Sequence, residues 1–373
     1  MDIDQYATNF SEEPGYLDFA RVGPIGTTVN EEQRALADIL GRARFGTLES
    51  LDALDARVRD AVSTLTGFPT DQISFQPNTS QGLMHTMFGI TGGVAISAAE
   101  YPSSTFAAVR AAESLGVLTP TWIETDEGRV TPGNLKAQLT KKVTAVVVSL
   151  VDFRTGYLAD IEGIRQVIGD RLLILDAIQG FGIVDVPYGV ADVVVSGGQK
   201  WARAGWGTGF LALSERALER LTPVFSGWTG SEFDGMPLDA VYPPAHTARA
   251  FTVSNPDPIA EGRLAVALEE IAEVGVTDIR NRILEKTSRI IDLADEFGIP
   301  ITTSRDEAER AGIIVLEPDA DQLTVLTAAL YNHGVTVTTR EGSIRLSAHV
   351  STDEETFEML RASFTSFASA VNV

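Results

Sequence analysis

Between residues 73 and 213 the chain alternates short aliphatic runs, closed by turn residues, with stretches whose apolar positions recur at helical spacing. The runs Ile73–Phe75, Val94–Ser97, Thr119–Ile123, Ala145–Leu150, Leu172–Leu175, Val193–Ser196 and Gly209–Leu213 predict strands. Ser80–Phe88, Ser104–Leu115 and Ile161–Ile168 predict amphipathic helices between them. That alternation predicts an α/β fold, with a mostly parallel sheet covered by helices. From Pro258 to about Glu296, the spacing of Leu264, Leu268, Ile271, Ile279, Ile283 and Ile290 predicts one long helix. Beyond Gly298, strands near Gly312–Leu316, Thr336–Thr339 and Ile344–Ser347, with helices at Asp321–Asn332 and Asp353–Phe367, predict a compact α+β unit. The expected division is a large domain over 1–257, its N-terminal segment packing on the small one, and a linking helix with the small domain over 258–373. No repeat or low-complexity linker interrupts the chain, so the two are expected to pack closely.

Composition narrows the function classes. The chain has 373 residues, enough for two cores, and its 44% hydrophobic and 21% charged residues predict a compact globular protein. A net charge of -22, with no long Lys/Arg run, repels nucleic acid and anionic lipid, so neither is an expected partner. The absence of cysteine excludes disulfides, thiolate metal sites and thiol catalysis. The four histidines, His85, His246, His333 and His349, show no metal-ligand spacing, so no metal site is expected. Met1–Val22 lacks the features of a signal peptide, and no apolar run reaches the roughly 18 residues of a membrane helix, so a cytoplasmic location is expected.

Three segments carry candidate chemistry. Val193-Val-Val-Ser196-Gly-Gly-Gln-Lys200 is an aliphatic strand ending in a glycine turn that presents a lysine. A lysine so placed can lose its proton and attack an aldehyde, although a surface lysine after a turn has the same pattern. Leu172-Leu-Ile-Leu-Asp176-Ala-Ile-Gln179 ends an aliphatic run in a carboxylate. A buried carboxylate needs a partner, and a protonated pyridine nitrogen is one, with Gln179 able to donate to a ring hydroxyl; a helix-capping aspartate is the other reading. Gln76-Pro-Asn78-Thr79-Ser80 joins a strand to a helix whose free N–H groups and hydroxyls suit a phosphate, or simply cap the helix.

Their order is more specific than any one of them. A hydroxyl-rich helix start, then Tyr101-Pro102-Ser103-Ser104, then Asp176-x-x-Gln179, then Ser196-x-x-x-Lys200, each after a predicted strand, resembles the class V aminotransferase family of fold-type I pyridoxal-phosphate enzymes over nearly the whole chain. The resemblance implies a mostly parallel seven-stranded sheet with a smaller C-terminal α+β domain, and pyridoxal 5'-phosphate as cofactor. It implies Lys200 as the Schiff-base lysine, Asp176 on the pyridine nitrogen, Gln179 facing the ring oxygen, and Tyr101 stacked on the ring. Thr79, Ser80 and Ser196 would hold the phosphate. Gly342-Ser-Ile344-Arg345-Leu-Ser347 resembles the family strand whose arginine receives a substrate α-carboxylate. Phe251-Thr-Val-Ser254-Asn255-Pro256 resembles the segment that family dimers insert into the neighbouring site, which implies a homodimer with shared active sites and Asn255 near the phosphate or substrate.

The departures from the family refine the expected reaction. Without a cysteine the chain cannot be a self-contained desulfurase. Gln199 stands where many relatives carry a histidine before the lysine, and it is neither acid nor base near neutral pH, so proton transfer is expected to fall to Lys200. Asp152-Phe153-Arg154-Thr155-Gly156, Gly227-Trp228-Thr-Gly230 and Ser254-Asn-Pro256 resemble kynureninase and epimerase-like members, whereas Gln179 departs from the histidine usual in kynureninases. Arg21 or Arg154 is a candidate for a second, distal acidic group of the substrate, or a plain surface arginine. The expected activity is transamination of an amino substrate. Carbon-sulfur lysis, kynureninase-like hydrolysis and epimerisation are alternatives on the same site, and a non-catalytic cofactor-binding sensor is the alternative of another class.

Overall fold

The computed structural model describes residues 1–371. Its main sheet contains β1 (Ile73–Phe75), β2 (Gly92–Ser97), β3 (Leu118–Ile123), β4 (Val143–Ser149), β5 (Leu172–Asp176), β6 (Val193–Gly197) and β7 (Gly209–Leu213). Their order is β1-β7-β6-β5-β4-β2-β3, and β7 alone runs against the others. A second, antiparallel sheet of β8 (Ile313–Leu316), β9 (Thr338–Arg340) and β10 (Ser343–Ser347) has the order β8-β10-β9. The α/β architecture is therefore the one the hydrophobic pattern predicts, and each of the seven predicted main-sheet segments is a strand.

Why the strands read as unbroken aliphatic runs is plain from their burial. Along β4, Ala145 and Val147 face one core while Val146 and Val148 face the other, because successive side chains point to opposite faces. The helices covering these faces, in chain order, are α1 (Ile3–Thr8), α2 (Thr27–Arg42), α3 (Ala53–Thr66), α4 (Thr79–Gly89), α5 (Pro102–Leu115), α6 (Pro132–Gln138), α7 (Ile161–Ile168), α8 (Glu215–Arg220) and α9 (Pro258–Val274). With α4 and α5 on one face and α7 and α9 on the other, the sheet is dry on both sides. The last helices are α10 (Val276–Glu296), α11 (Leu323–Asn332) and α12 (Glu354–Val371). The strand β8 is likewise shared: Ile313 and Val315 join the core of the main sheet, Ile314 and Leu316 that of the small one.

Two expectations are corrected. The long helix over Pro258–Glu296 is two helices, broken at Gly275, whose φ of 94° and ψ of 129° no helix accommodates. Both halves keep apolar positions at helical spacing, so periodicity could not reveal the break. The strand placed at Thr336–Thr339 is Thr338–Arg340, because Thr336 instead pairs with Tyr16 of the N-terminal segment. That segment is stitched into the small sheet, with Leu17 N–H donating to Thr336 O at 3.0 Å and Ser347 N–H to Leu17 O at 2.8 Å. Gly23 N–H then donates to Gln199 O at 2.8 Å, tying it to the turn that carries Lys200.

Close approach of α4 to the sheet depends on a missing side chain. A Cβ on Gly82 would sit 2.6 Å from Cγ1 of the fully buried Val195 in β6. Gly82→Ala is therefore expected to lower stability by roughly 1–3 kcal/mol in chemical denaturation. The double variant Gly82→Ala/Val195→Ala should be less destabilised than the sum of its singles, since Val195 supplies the clash; strict additivity would refute this reading.

Candidate active site

Winding reverses between β2 and β4, and the carboxyl ends of β1, β2, β4, β5 and β6 open on one side of the sheet. A crevice outside such a reversal is where α/β sheets place ligands. Here it is a cleft of about 580 Å³, closed on the far side by the small sheet and the N-terminal segment. Its lining includes Thr79, Ser80, Tyr101, Asp176, Gln179, Lys200, Arg21 and Arg345. Eight residues singled out in separate stretches of sequence thus meet in one cavity.

Asp176 ends β5 and is 2% exposed. Its Oδ1 accepts one bond, from Ile178 N–H at 3.1 Å, and burial pushes its carboxyl up to about 6. Lys200 follows β6; burial pushes its amine down to about 8, assisted by Arg345 and Arg340 and opposed by Asp176. Lys200 Nζ lies 5.5 Å from the centroid of the Tyr101 ring, which meets Phe153 edge-on at 5.1 Å. Gln179 is held at both ends: it donates to Ala20 O and accepts from Trp201 Nε1, each at 2.9 Å, which leaves one amide hydrogen for the cleft.

At the start of α4, Asn78 caps the helix by accepting from Gln81 N–H at 2.9 Å. The N–H groups of Thr79 and Ser80 have no intrahelical partner, and Thr79 Oγ1 is buried without a hydrogen bond. Ser80 is paired with Ser103 at 2.7 Å. An orphaned hydroxyl at a helix start is a donor set for an anion. On the opposite wall Arg345 is buried, its Nη2 lying 3.5 Å from Asp18 Oδ1 and its Nη1 donating to Phe153 O at 3.3 Å. Burial and the neighbouring Arg340 pull its guanidinium down to about 10, and its Nε is unpaired.

Three candidates lie elsewhere. Ser196 is buried beneath the turn, donating to Gly197 O at 3.2 Å, and does not line the cleft. Arg154 turns away toward Gly128 and lies 3.8 Å from Asp152. Asn255 lines an adjoining cleft of about 550 Å³ that shares Pro77 and Gly207 with the first. Arg21 does reach the cleft, but 74% of its side chain is exposed.

Sequence reasoning missed Arg340 and Trp206 in the lining and the buried Glu100 next to Tyr101, and it gave Asn78 and Ser103, although within its motifs, no role of their own. Glu100 accepts from Ser149 N–H at 3.1 Å and from its hydroxyl, and burial pushes it up to about 7. Its partner lies 49 residues away, so nothing local announces it. A signal for Arg340 did exist: Arg340 and Arg345 flank the turn at Glu341-Gly342, and pairing Arg340 with Ser343 puts both arginines on one face.

The residues fit pyridoxal phosphate by their own chemistry. The cleft offers an orphaned hydroxyl at a helix start for a phosphate and an amine depressed toward neutrality for an aldehyde. Opposite lies a desolvated carboxylate for a cationic ring nitrogen. Comparison with known proteins agrees. The chain is 27% identical over 290 residues to a kynureninase of Deinococcus radiodurans, covering 73% of this chain and 68% of that protein. It is 24% identical over 332 residues to the uncharacterized aminotransferase YcbU of Bacillus subtilis, covering 85% and 87%. Its fold matches a cysteine desulfurase from Thermococcus onnurineus with a TM-score of 0.83 at 20% identity, over 96% of this chain and 95% of that one. It also matches a lysine mutant of the cystine C-S lyase C-DES, solved with glycine linked to its cofactor, with a TM-score of 0.85 at 17% identity over 97% and 99%. The aminotransferase class-V family model matches residues 50–373. The chain thus belongs to the class-V aminotransferase family, and it is a pyridoxal-phosphate-dependent enzyme.

Proposed function

We propose that the protein is an aminotransferase of α-amino acids, with Lys200, Asp176 and Tyr101 around the reacting atoms. The observation that carries this reading is one cleft that holds a lysine whose amine burial pushes down to about 8, a desolvated carboxylate and Arg345. Pyridoxal phosphate, when bound, supplies an aldehyde and an electron-withdrawing ring that stabilises negative charge at a substrate α-carbon. Asp176 would hold the ring nitrogen and favour its protonated form, since a buried carboxylate gains most from a cationic donor. Thr79 Oγ1 and the first N–H groups of α4 would hold the phosphate, and the remaining Gln179 amide hydrogen would be available to the ring hydroxyl. Tyr101 forms the wall against the ring face. Arg345 offers its fork to the α-carboxylate.

Lys200 then does the proton work. Its amine, neutral in a sizeable fraction near pH 7.5, would take the proton from the substrate α-carbon and deliver it to the carbon contributed by the cofactor's aldehyde. Gln199 adds no second acid or base. Transamination needs one group that carries a proton between two carbons, whereas hydrolysis or elimination also needs help at a leaving group or water. That economy favours transamination.

We further propose a homodimer in the cytoplasm, in which a second copy closes the paired clefts and Asn255 reaches the neighbouring site. Trp206, an exposed tryptophan on the cleft lining, supports it, as do the exposed Trp228, Leu238 and Val241, because exposed large apolar side chains mark contact surfaces. No helix among the described residues is long and apolar enough to cross a membrane.

Given an amino acid panel, the purified enzyme is expected to release the matching keto acids and neither sulfide nor a β-cleavage product; the reverse result would replace transamination with lysis. Covalent capture of the cofactor, trapped by borohydride, should rise with pH around a midpoint near 8, because only the neutral amine of Lys200 attacks. Lys200→Ala should abolish capture and lower turnover by at least roughly 10²–10⁴-fold. Asp176→Asn should weaken turnover comparably yet stabilise the cofactor-free protein. The sign follows from the raised Asp176 value of about 6: the folded state disfavours the charge, so wild-type stability falls as pH rises from about 4 to about 6 and stays lowered above. The gain in melting temperature should therefore be larger at pH 7.5 than at pH 4.5, and a loss at pH 7.5 would count against the assignment.

A further inference from the structure

We infer that Arg340 reads a second carboxylate on the substrate, so that the enzyme's amino acids are those whose side chain ends in an acid. This rests on the amino acid substrate proposed above, and it moves the distal-acid role from Arg21 and Arg154 to a residue on the small sheet.

The register places Arg340 where it can act together with Arg345. Arg345 is opposite Thr338 and Arg340 opposite Ser343, so both arginines project from one face of the β9–β10 pair, offset by one diagonal step. Diagonal neighbours on a sheet stand about 7–8 Å apart. Ile344 and Leu346, on the other face, fill the core of the small unit, which turns the arginine face toward the cleft that both residues line.

The two cations differ in what holds them. Arg345 has Asp18 beside it, together with Thr338 Oγ1 and Phe153 O. Arg340 is half-buried, and among the described residues it has no carboxylate within ion-pair distance and no hydrogen-bond partner. Its guanidinium lies over the Phe153 ring, 4.6 Å from the centroid, a contact that steadies the planar group while leaving its N–H edge free. Burial penalises its charge, which Asp152 and Asp18 support only from beyond ion-pair distance, so Arg340 is a cation kept in a partly dry place without a carboxylate in contact. The same aromatic that carries Arg340 abuts Tyr101, the wall beside Lys200. An amino acid whose α-carboxylate rests on Arg345 thus has its side chain within reach of a second, unpaired fork.

The competing candidates are weaker on geometry. Arg21 is mostly in water, where an ion pair contributes little, and Arg154 faces away from the cleft.

The test uses the cofactor-loaded enzyme and ligands that cannot react. Calorimetry should show glutarate binding more tightly than butyrate, and Arg340→Met should remove roughly 10- to 100-fold of the glutarate affinity while changing that of butyrate less than about 3-fold. Arg340→Lys, which keeps the charge without the fork, should fall between the two. In turnover, Arg340→Met should raise KM for glutamate or 2-aminoadipate far more than for norvaline. The inference is overturned if the glutarate-to-butyrate ratio is unchanged in Arg340→Met, or if that variant instead loses affinity for the cofactor. Loss of both ligands in Arg345→Met tests the α-carboxylate assignment separately, so the two readings fail in different experiments.

Discussion

A carboxylate withdrawn from water at the end of a central strand must find a cation or lose its charge, and Asp176 is in that position. β5 lies between β4 and β6, aliphatic on both faces, and among the described residues one backbone N–H is the sole hydrogen-bond donor recorded on its carboxylate. Leaving an ionised group there uncompensated costs several kcal/mol, which is why its proton affinity rises. The arrangement suits a carboxylate whose cationic partner is a ligand of the cleft, as proposed above for the cofactor ring nitrogen. The sheet order does the rest: flanking strands deliver the Lys200 turn from one side and the Phe153 loop from the other, so the site is built where the carboxylate is stranded.

Around that anion the chain gathers cations. Lys200, Arg21, Arg340 and Arg345 line the cleft of a protein whose net charge is -22. The local field therefore opposes the global one, and a low-dielectric crevice concentrates it. Anionic ligands are drawn to this cleft despite the net negative charge of the chain. The same crowding of cations helps strip the proton from Lys200, so attraction of substrate and activation of the amine have one electrostatic origin.

Three distant parts of the chain fix the substrate wall. β10 carries Arg345, the N-terminal segment supplies Asp18 beside it, and the loop after β4 contributes Phe153, whose carbonyl accepts from Arg345 and whose ring supports Arg340. Pairing of Leu17 with Thr336 and Ser347 joins the N-terminal segment to the small sheet, while the Phe153 loop belongs to the main one. Any movement of the small sheet relative to the main one carries both guanidinium groups with it.

Local periodicity was enough to read the strands and the alternating topology, whereas residue chemistry left Lys200, Asp176 and the Thr79-Ser80 helix start each with a second reading, and it was their order along the chain that marked them as one set. Each of those lies at a strand end, where the sequence itself changes from aliphatic to polar, and the burial forcing the change is visible in one short window. Other features left no local trace. The break at Gly275 keeps helical spacing on both sides, Glu100 depends on Ser149, and the place of Thr336 depends on Tyr16. Arg154, Arg21 and Arg340 are indistinguishable as residue types. Only packing decides which guanidinium is turned out, which is solvated, and which is held over an aromatic ring with no carboxylate in contact, because that outcome depends on what the rest of the fold brings within a few ångströms.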